Sequence, residues 1–256
     1  MNRRQDAKIY VFTHKKLNFE LPNNKLYEPL EVGAALHSEP IAELRDNTGK
    51  SFSHLNTSLA EGTGLLWIRN NHPENLEYIG NCQYRRQLRL KEDTDFKELF
   101  KLYDVIMPQP IFSPGVTVRT HYANCHRVED LDICRDIVAL NYPEYIDSWN
   151  KVIDNGNILF YSTGNVMKTK DYEEMVDFVY GVIEKYYQAI GVNSEEEAFE
   201  FVRNNVPQSK LDINTDRGYF YQAQTGGFLQ ERLMTLFVMH RFRKIMAIPY
   251  YKYDGA

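Results

Sequence analysis

Lys8-Ile9-Tyr10-Val11-Phe12-Thr13, followed at once by His14-Lys15-Lys16, decides how this chain is read. The apolar run is rich in β-branched and aromatic side chains, so it reads as a buried first strand. The polar cluster from Thr13 to Lys16 falls where an open α/β sheet places its ligand contacts, at the carboxyl end of a strand. Working outward, residues 27–35 read as a second extended segment running into Gly33. Residues 45–49 (Arg-Asp-Asn-Thr-Gly) read as a turn. Residues 58–70 carry Leu59, Thr63, Leu66 and Trp67 at helical spacing. Residues 77–81 and 104–108 read as further strands, the second closed by Pro108.

The second half is more helical. Residues 128–141 show a 3.6-residue apolar rhythm, continued over 145–152. Residues 157–161 read as a strand. A long amphipathic helix is expected over 170–190 with Gly191 as its stop, and a capped one over 194–204, where Ser194 and Glu197 have capping-box spacing. A last helix over 227–243 and a strand over 245–249 complete the pattern. Strands separated by helices from start to end predict one mixed α/β domain across 1–256.

Composition narrows the function. Hydrophobic residues make up 43% and charged residues 25%, enough to build a packed core and too apolar for disorder. The net charge of −5 argues against nucleic acid as a partner. Three cysteines, Cys82, Cys125 and Cys134, form no C-x-x-C pair, so neither a disulfide framework nor a zinc site is expected and a reducing compartment fits. No apolar signal segment follows Met1 and no stretch is long enough to cross a membrane, so a cytoplasmic protein is expected.

Two segments could carry chemistry. Tyr84-Arg85-Arg86 closes the predicted strand 77–81 and offers two guanidiniums, whose forks match phosphate oxygens. The bland alternative is an exposed basic turn. Gly226-Gly227-Phe228-Leu229-Gln230-Glu231-Arg232 reads as a glycine junction into a helix, with Glu231 able to take a proton from a hydroxyl. The alternative is a carboxylate that complements the helix dipole or pairs with Arg232. His126 with Asp130 and Asp132 is too sparse a set to assign a metal. Asp93-Thr94-Asp95 has a D-x-D form but follows no strand, and reads as a solvated loop. No phosphate-binding glycine loop occurs.

These motifs, in order, resemble a capsular-polysaccharide glycosyltransferase family long catalogued as a domain of unknown function. Thr13-His14-Lys15-Lys16 matches its T-H-K-K, Val32-Gly33-Ala34-Ala35-Leu36 its V-G-A-A-L, and Asp46-Asn47-Thr48-Gly49 its D-x-T-G. The segment from Glu61 to Asn70 is similar to its E-L-T-x-x-Y-W-x-W-K-N helix, and Gly80-Asn81-Cys82-Gln83-Tyr84-Arg85-Arg86 to its G-L-C-H-Y-R-R. Tyr122, His126, Asp130 and Asp132 follow its Y-x-x-x-H-x-x-x-D-L-D. Residues 157–160 follow its N-M-F-I, and Gly227-Phe228-Leu229-Gln230-Glu231-Arg232-Leu233 its G-F-L-x-E-R-L. The chain departs from the pattern at Gln83, where the family has His, and at Leu66 and Ile68, where it has aromatics.

The resemblance implies a GT-A-like fold, with a nucleotide-sugar half over about 8–120 and an acceptor half with a helical insertion over about 121–256. It implies a hexosyltransferase, inverting, that moves sugar from a UDP-sugar onto a glycan or lipid-linked oligosaccharide in capsule, O-antigen or exopolysaccharide synthesis. UDP-galactofuranose is the first donor to try, and peripheral association with the inner face of the membrane would fit. The expected donor-binding residues are Thr13, His14, Lys15, Asp46, Tyr84, Arg85 and Arg86. The expected acceptor-binding residues are Asn157, Arg232 and His126, and Glu231 is the expected base. Guanidinium charge is expected to do the work of a metal, so no cofactor is required, with manganese or magnesium left open. The competing reading is a non-catalytic subunit that binds nucleotide-sugar or polysaccharide, kept alive by Gln83.

Overall fold

Every residue of the first strand except Lys8 is buried, the pattern of a strand covered on both faces. A computed structural model describes residues 6–19, 21, 25–73, 75–91, 93–160, 164–212 and 218–252. The strands are β1 (Ala7–Thr13), β2 (Tyr27–Glu31), β3 (Leu44–Arg45), β4 (Tyr78–Gln83), β5 (Arg86–Leu88), β6 (Val105–Pro108), β7 (Ile111–Phe112), β8 (Ile158–Leu159), β9 (Asn165–Lys168), β10 (Ile245–Ile248) and β11 (Tyr250–Lys252). The helices are α1 (Asn56–Leu59), α2 (Gly62–Asn71), α3 (Phe96–Leu102), α4 (Val118–Cys125), α5 (Glu129–Asn141), α6 (Ile146–Trp149), α7 (Thr169–Ala189), α8 (Glu195–Asn205), α9 (Gln208–Leu211), α10 (Gly218–Ala223) and α11 (Thr225–Arg241).

The central sheet runs β10-β6-β9-β4-β1-β2-β3, with β5 and β11 attached beyond the end of β4. β1 is parallel to β2 and β4, whereas β9 runs antiparallel between β4 and β6. The chain steps outward from β1 through β2 to β3, then returns to β4 on the other side of β1. This reversal opens a crevice at the carboxyl ends of β1 and β4, the position where open α/β sheets bind ligands. The fold is α/β, a mixed central sheet flanked by helices, as the sequence predicts.

Strand alternation divides the core. Tyr10, Phe12, Ile79 and Met167 join the core that holds α2, α7 and α11, while Ile9, Val11, Tyr78 and Cys82 pack with Phe96 and Phe100 of α3 on the other face. The longest helix, α7, buries Tyr172, Met175, Val176, Val179, Tyr180, Ile183 and Tyr186 along one stripe. It ends where Gly191 turns to φ 71°, a left-handed stop that glycine adopts without steric cost. Ser194 Oγ accepts from Glu197 N at 3.2 Å, which starts α8 as read from the sequence.

Four expectations change. The helix foreseen over 58–70 is two helices, because Ala60 takes φ 49° and breaks it. The strand foreseen over 157–161 is β8, paired only with β7 in a separate ribbon among the described residues, and residue 161 lies outside them. β9, in the middle of the sheet, was not foreseen. Finally, Gly226 and Gly227 lie inside the first turn of α11, so Glu231 falls well into the helix and not at its start. A Cβ on Gly226 would come within 2.9 Å of Ser58 O and 2.8 Å of Leu59, so this glycine admits α1 against α11.

Candidate active site

At the crevice, β1 ends in Thr13 and β4 in Gln83. Tyr84, next in line, is tied back to β1 by Tyr84 N donating to Phe12 O at 3.0 Å. Its buried ring becomes the floor of a cationic cluster. The His14 ring meets it edge-on at 5.4 Å, Lys15 Nζ lies 5.6 Å from its centre and the Arg85 guanidinium 5.4 Å. His14, Lys15 and Arg85 are exposed and Arg86 is half-buried. Residues about seventy positions apart in sequence thus present one positive patch at the strand ends. Thr13 itself is buried, and its hydroxyl donates to Lys15 O at 2.5 Å. It shapes the turn that carries His14 and Lys15.

The neighbouring loop after β2 is held from within. Asp46 is fully buried: Gly33 N donates to its Oδ2 at 2.9 Å, Ala34 N to its Oδ1 at 3.0 Å, and Ser53 Oγ also to Oδ1. Its oxygens serve the loop, so the expected donor-binding residue Asp46 is engaged in holding the crevice wall. Glu31 is likewise buried, and four donors from His37, Ile41, Ala42 and Arg45 outweigh burial and hold its carboxyl below the usual range.

Glu61 follows the break at Ala60 and stands at the head of α2. Gln83 Nε2 donates to Glu61 Oε1 at 2.5 Å, linking α2 to the end of β4. Burial dominates and pushes the Glu61 carboxyl up, against the opposing pull of its own backbone N–H, the Arg85 charge, the Gln83 bond and the Arg86 charge. Beside it, a Cβ on Gly62 would lie 2.1 Å from Tyr180 Oη and 2.7 Å from Gln230 Oε1. Tyr180 Oη donates to that Gln230 oxygen at 2.5 Å. α2, α7 and α11 therefore meet at Gly62.

α11 continues from Gln230 to Glu231 and Arg232. Arg232 is almost wholly buried. Its Nη1 donates to Glu231 Oε2 at 2.8 Å and to Phe228 O at 3.0 Å, its Nη2 meets His121 Nδ1 at 3.1 Å, and the guanidinium lies 5.1 Å from the Tyr122 ring. His126 stacks on Phe228 at 3.9 Å and bonds Gln222 Oε1 through Nδ1 at 3.1 Å. Burial, then the Arg232 charge, push its pKa down to about 3. His126 and Arg232, the expected acceptor contacts, are thus both buried with internal partners, and Arg232 Nε has no hydrogen-bond partner among the described residues. Asn157 is half-buried just before β8, whose far end is tied to α11 by Phe160 N donating to Thr235 Oγ1 at 3.1 Å.

Residues 8–203 match a domain of unknown function, DUF4422. The chain belongs to this family. No curated protein matches it in sequence. Among solved structures it is similar to the apo form of the WbbM bifunctional glycosyltransferase, with a TM-score of 0.76 and 20% identity. The match covers 97% of this chain and 45% of that one, so this DUF4422 chain spans less than half the length of WbbM. The likeness is one of fold.

Among the described residues of this DUF4422 protein, no three His, Cys, Asp or Glu side chains converge as metal ligands. Asp95 caps α3, its Oδ1 accepting from Glu98 N at 3.1 Å, and Asp132 and Asp154 both pair with Arg119. No helix among the described residues is long and apolar enough to cross a membrane. A groove of about 670 Å³ runs between α1, α2 and α7, with Tyr180 and Tyr187 in its wall. The cationic cluster does not line it. Sequence reasoning missed the Glu61–Gln83 contact: the two residues stand 22 positions apart, and the break that aims Glu61 falls on an alanine.

Proposed function

We propose that this DUF4422 protein is a glycosyltransferase that uses a nucleotide-sugar, with its diphosphate held at the carboxyl ends of β1 and β4. The observation that carries the reading is the convergence of His14, Lys15 and Arg85 on Tyr84 at that crevice. The fold it shares with a glycosyltransferase supports the same reading. Arg86, at the start of β5, completes the grip. Asp46 and Thr13 support the nucleoside end by holding the two loops in place.

The proposed reaction is an inverting displacement. An acceptor hydroxyl loses its proton to the Glu231 carboxylate as its oxygen bonds the anomeric carbon. The bond from that carbon to the diphosphate oxygen breaks, and the nucleoside diphosphate leaves with the electron pair. Charge grows on the leaving oxygen, where guanidinium and ammonium donors stabilise it without a divalent ion. A UDP-hexose is the proposed donor, UDP-galactofuranose first. The acceptor is a glycan or lipid-linked oligosaccharide of a surface polysaccharide, approaching from the side of α11 and Asn157. The proposed place of action is the cytoplasm, at the inner face of the membrane.

Calorimetric titration with UDP, then release of UDP from a panel of UDP-sugars with and without acceptor, tests this. Binding of UDP and turnover of one sugar are expected; no binding of any nucleotide would reject the reading. The alternative, a subunit that binds nucleotide-sugar without turnover, is favoured by one observation, the engagement of Glu231 by Arg232. It predicts UDP-sugar binding with no release of UDP.

A further inference from the structure

We propose that Glu61 and Gln83 form the reader of the donor's sugar ring: Glu61 fixes the Gln83 carboxamide by one N–H, and the rest of that amide hydrogen-bonds hydroxyls of the hexosyl group. The inference rests on the diphosphate being bound at the cationic cluster.

Placement is the first argument. Gln83 is the last residue of β4, and its Cα pairs with Phe12 of β1. Side chains alternate along β4, so Gln83 shares a face with Ile79 and Asn81, the face covered by α2, α7 and α11. Tyr84 packs on the opposite face with its buried neighbours. A sugar joined to a diphosphate over Tyr84 and reaching toward α11 therefore passes Gln83.

The second argument is what the chain does to put Glu61 there. Ala60 holds φ 49° and ψ −132°, an arrangement L-residues rarely adopt, and such strain costs about 1–3 kcal/mol and clusters at functional positions. Gly62 then presses the turn against Tyr180 and Gln230. The result is a half-buried carboxylate that accepts from its own backbone N–H and from Gln83 Nε2, the latter at 2.5 Å. A carboxamide held at one N–H cannot swing, so its carbonyl and second N–H keep a fixed pattern of one acceptor and one donor. That pattern suits adjacent sugar hydroxyls.

The third observation is independent. Asn81 pairs across the sheet with Asn165, and both are fully buried on the Gln83 face. Among the described residues, neither side-chain atom of Asn165 has a hydrogen-bond partner. A buried amide left unbonded is costly, so that of Asn165 calls for polar matter to meet it, an ordered water or a ligand hydroxyl. A row of carboxamides leading from Asn165 to Gln83 carries both donors and acceptors and no charge, which suits hydroxyl groups better than a phosphate.

The test is calorimetric titration of wild type, Q83A, E61A and E61Q with UDP, UDP-galactofuranose, UDP-galactose and UDP-glucose, with Tm recorded for each. Wild type is expected to bind at least one UDP-sugar more tightly than UDP. Q83A and E61A lose that gain, about tenfold, while UDP affinity stays within about twofold of wild type. E61Q keeps most of the gain, because its amide oxygen still accepts from Gln83. A wild type that binds UDP but shows no gain for any sugar overturns the inference alone, as does a gain unchanged in Q83A or a loss shared equally by UDP. A wild type that binds no nucleotide overturns the proposed function with it.

Discussion

Arg232 Nη1 donates to Glu231 Oε2 at 2.8 Å from a guanidinium that is only 2% exposed. The bond fixes how the Glu231 side chain leaves α11, because the arginine is itself clamped by Phe228 O and His121. A carboxylate in a set orientation suits proton transfer, and general-base groups typically contribute about 10² to 10⁴ in rate. E231Q keeps an oxygen for Arg232, so kcat is expected to fall by that order while UDP affinity and Tm stay close to wild type. Steady-state kinetics beside a thermal melt check it; a large drop in Tm would assign Glu231 to structure.

The grip on the diphosphate is testable at Arg85 and Arg86. Hydrogen bonds to charged groups contribute about 1.5–3 kcal/mol, so R85A and R86A are each expected to weaken UDP binding roughly tenfold to a hundredfold. Uridine, which lacks phosphate, should be unaffected. Titration at two salt concentrations adds a second readout, since the exposed Arg85 contact weakens as salt rises. Unchanged UDP affinity in both variants would reject the grip.

Turnover is expected to persist in excess chelator. The nearest cationic groups are already in place around Tyr84, and the carboxylates of Asp95, Asp132 and Asp154 are engaged in a helix cap and in pairs with Arg119. Rate measured in EDTA, then after manganese is added back, decides the point; loss and recovery would show a metal requirement.

Asp130 gives a stability prediction with a definite sign. Its carboxyl accepts from Arg127 at 2.6 Å, Tyr186 at 2.9 Å and Tyr122 at 3.2 Å. Burial dominates and pushes its pKa up to about 6 from 3.8. Between those values the folded chain holds a proton that the unfolded chain has released. Asp130 therefore destabilises the fold increasingly as pH rises through this window, by about 3 kcal/mol in all. His126 acts in the other direction, since its depressed pKa means the unfolded chain takes up the proton first on acidification. Comparing D130N with wild type cancels the histidine. The stability of D130N relative to wild type should rise by about that amount from about pH 4 to about pH 6.5, read from urea midpoints. A constant difference would reject the assignment.

The parts of this fold that were legible in sequence are those where local pattern and tertiary role agree. β1 and β4 are buried runs, α7 has a clean apolar stripe, and Ser194 caps α8 as its spacing with Glu197 predicts. The cationic cluster was half legible: Tyr84-Arg85-Arg86 and His14-Lys15 each stood out, but only the parallel pairing of β1 with β4 joins them. β9 was hidden because Asn165-Val166-Met167-Lys168 is too short to show a period, and its burial comes from the strands on either side. The Glu61–Gln83 contact was invisible for a related reason. Its residues are distant in sequence, and the break at Ala60 that aims one at the other carries no glycine or proline to announce it.

β9 also bears on how the polypeptide is made. It runs between β4 and β6, yet it is synthesised after both, and β10, the other neighbour of β6, comes almost last. β1 to β4 can pair as they leave the ribosome. β6, with Val105, Ile106 and Met107 fully buried in the finished protein, has no neighbouring strand of the main sheet until β9 emerges. Until then a growing chain carries an apolar strand with both edges open, the kind of edge that invites pairing with other chains. Nascent chains arrested just before β9 should therefore need a chaperone to stay dispersed, and those arrested just after it should need one less.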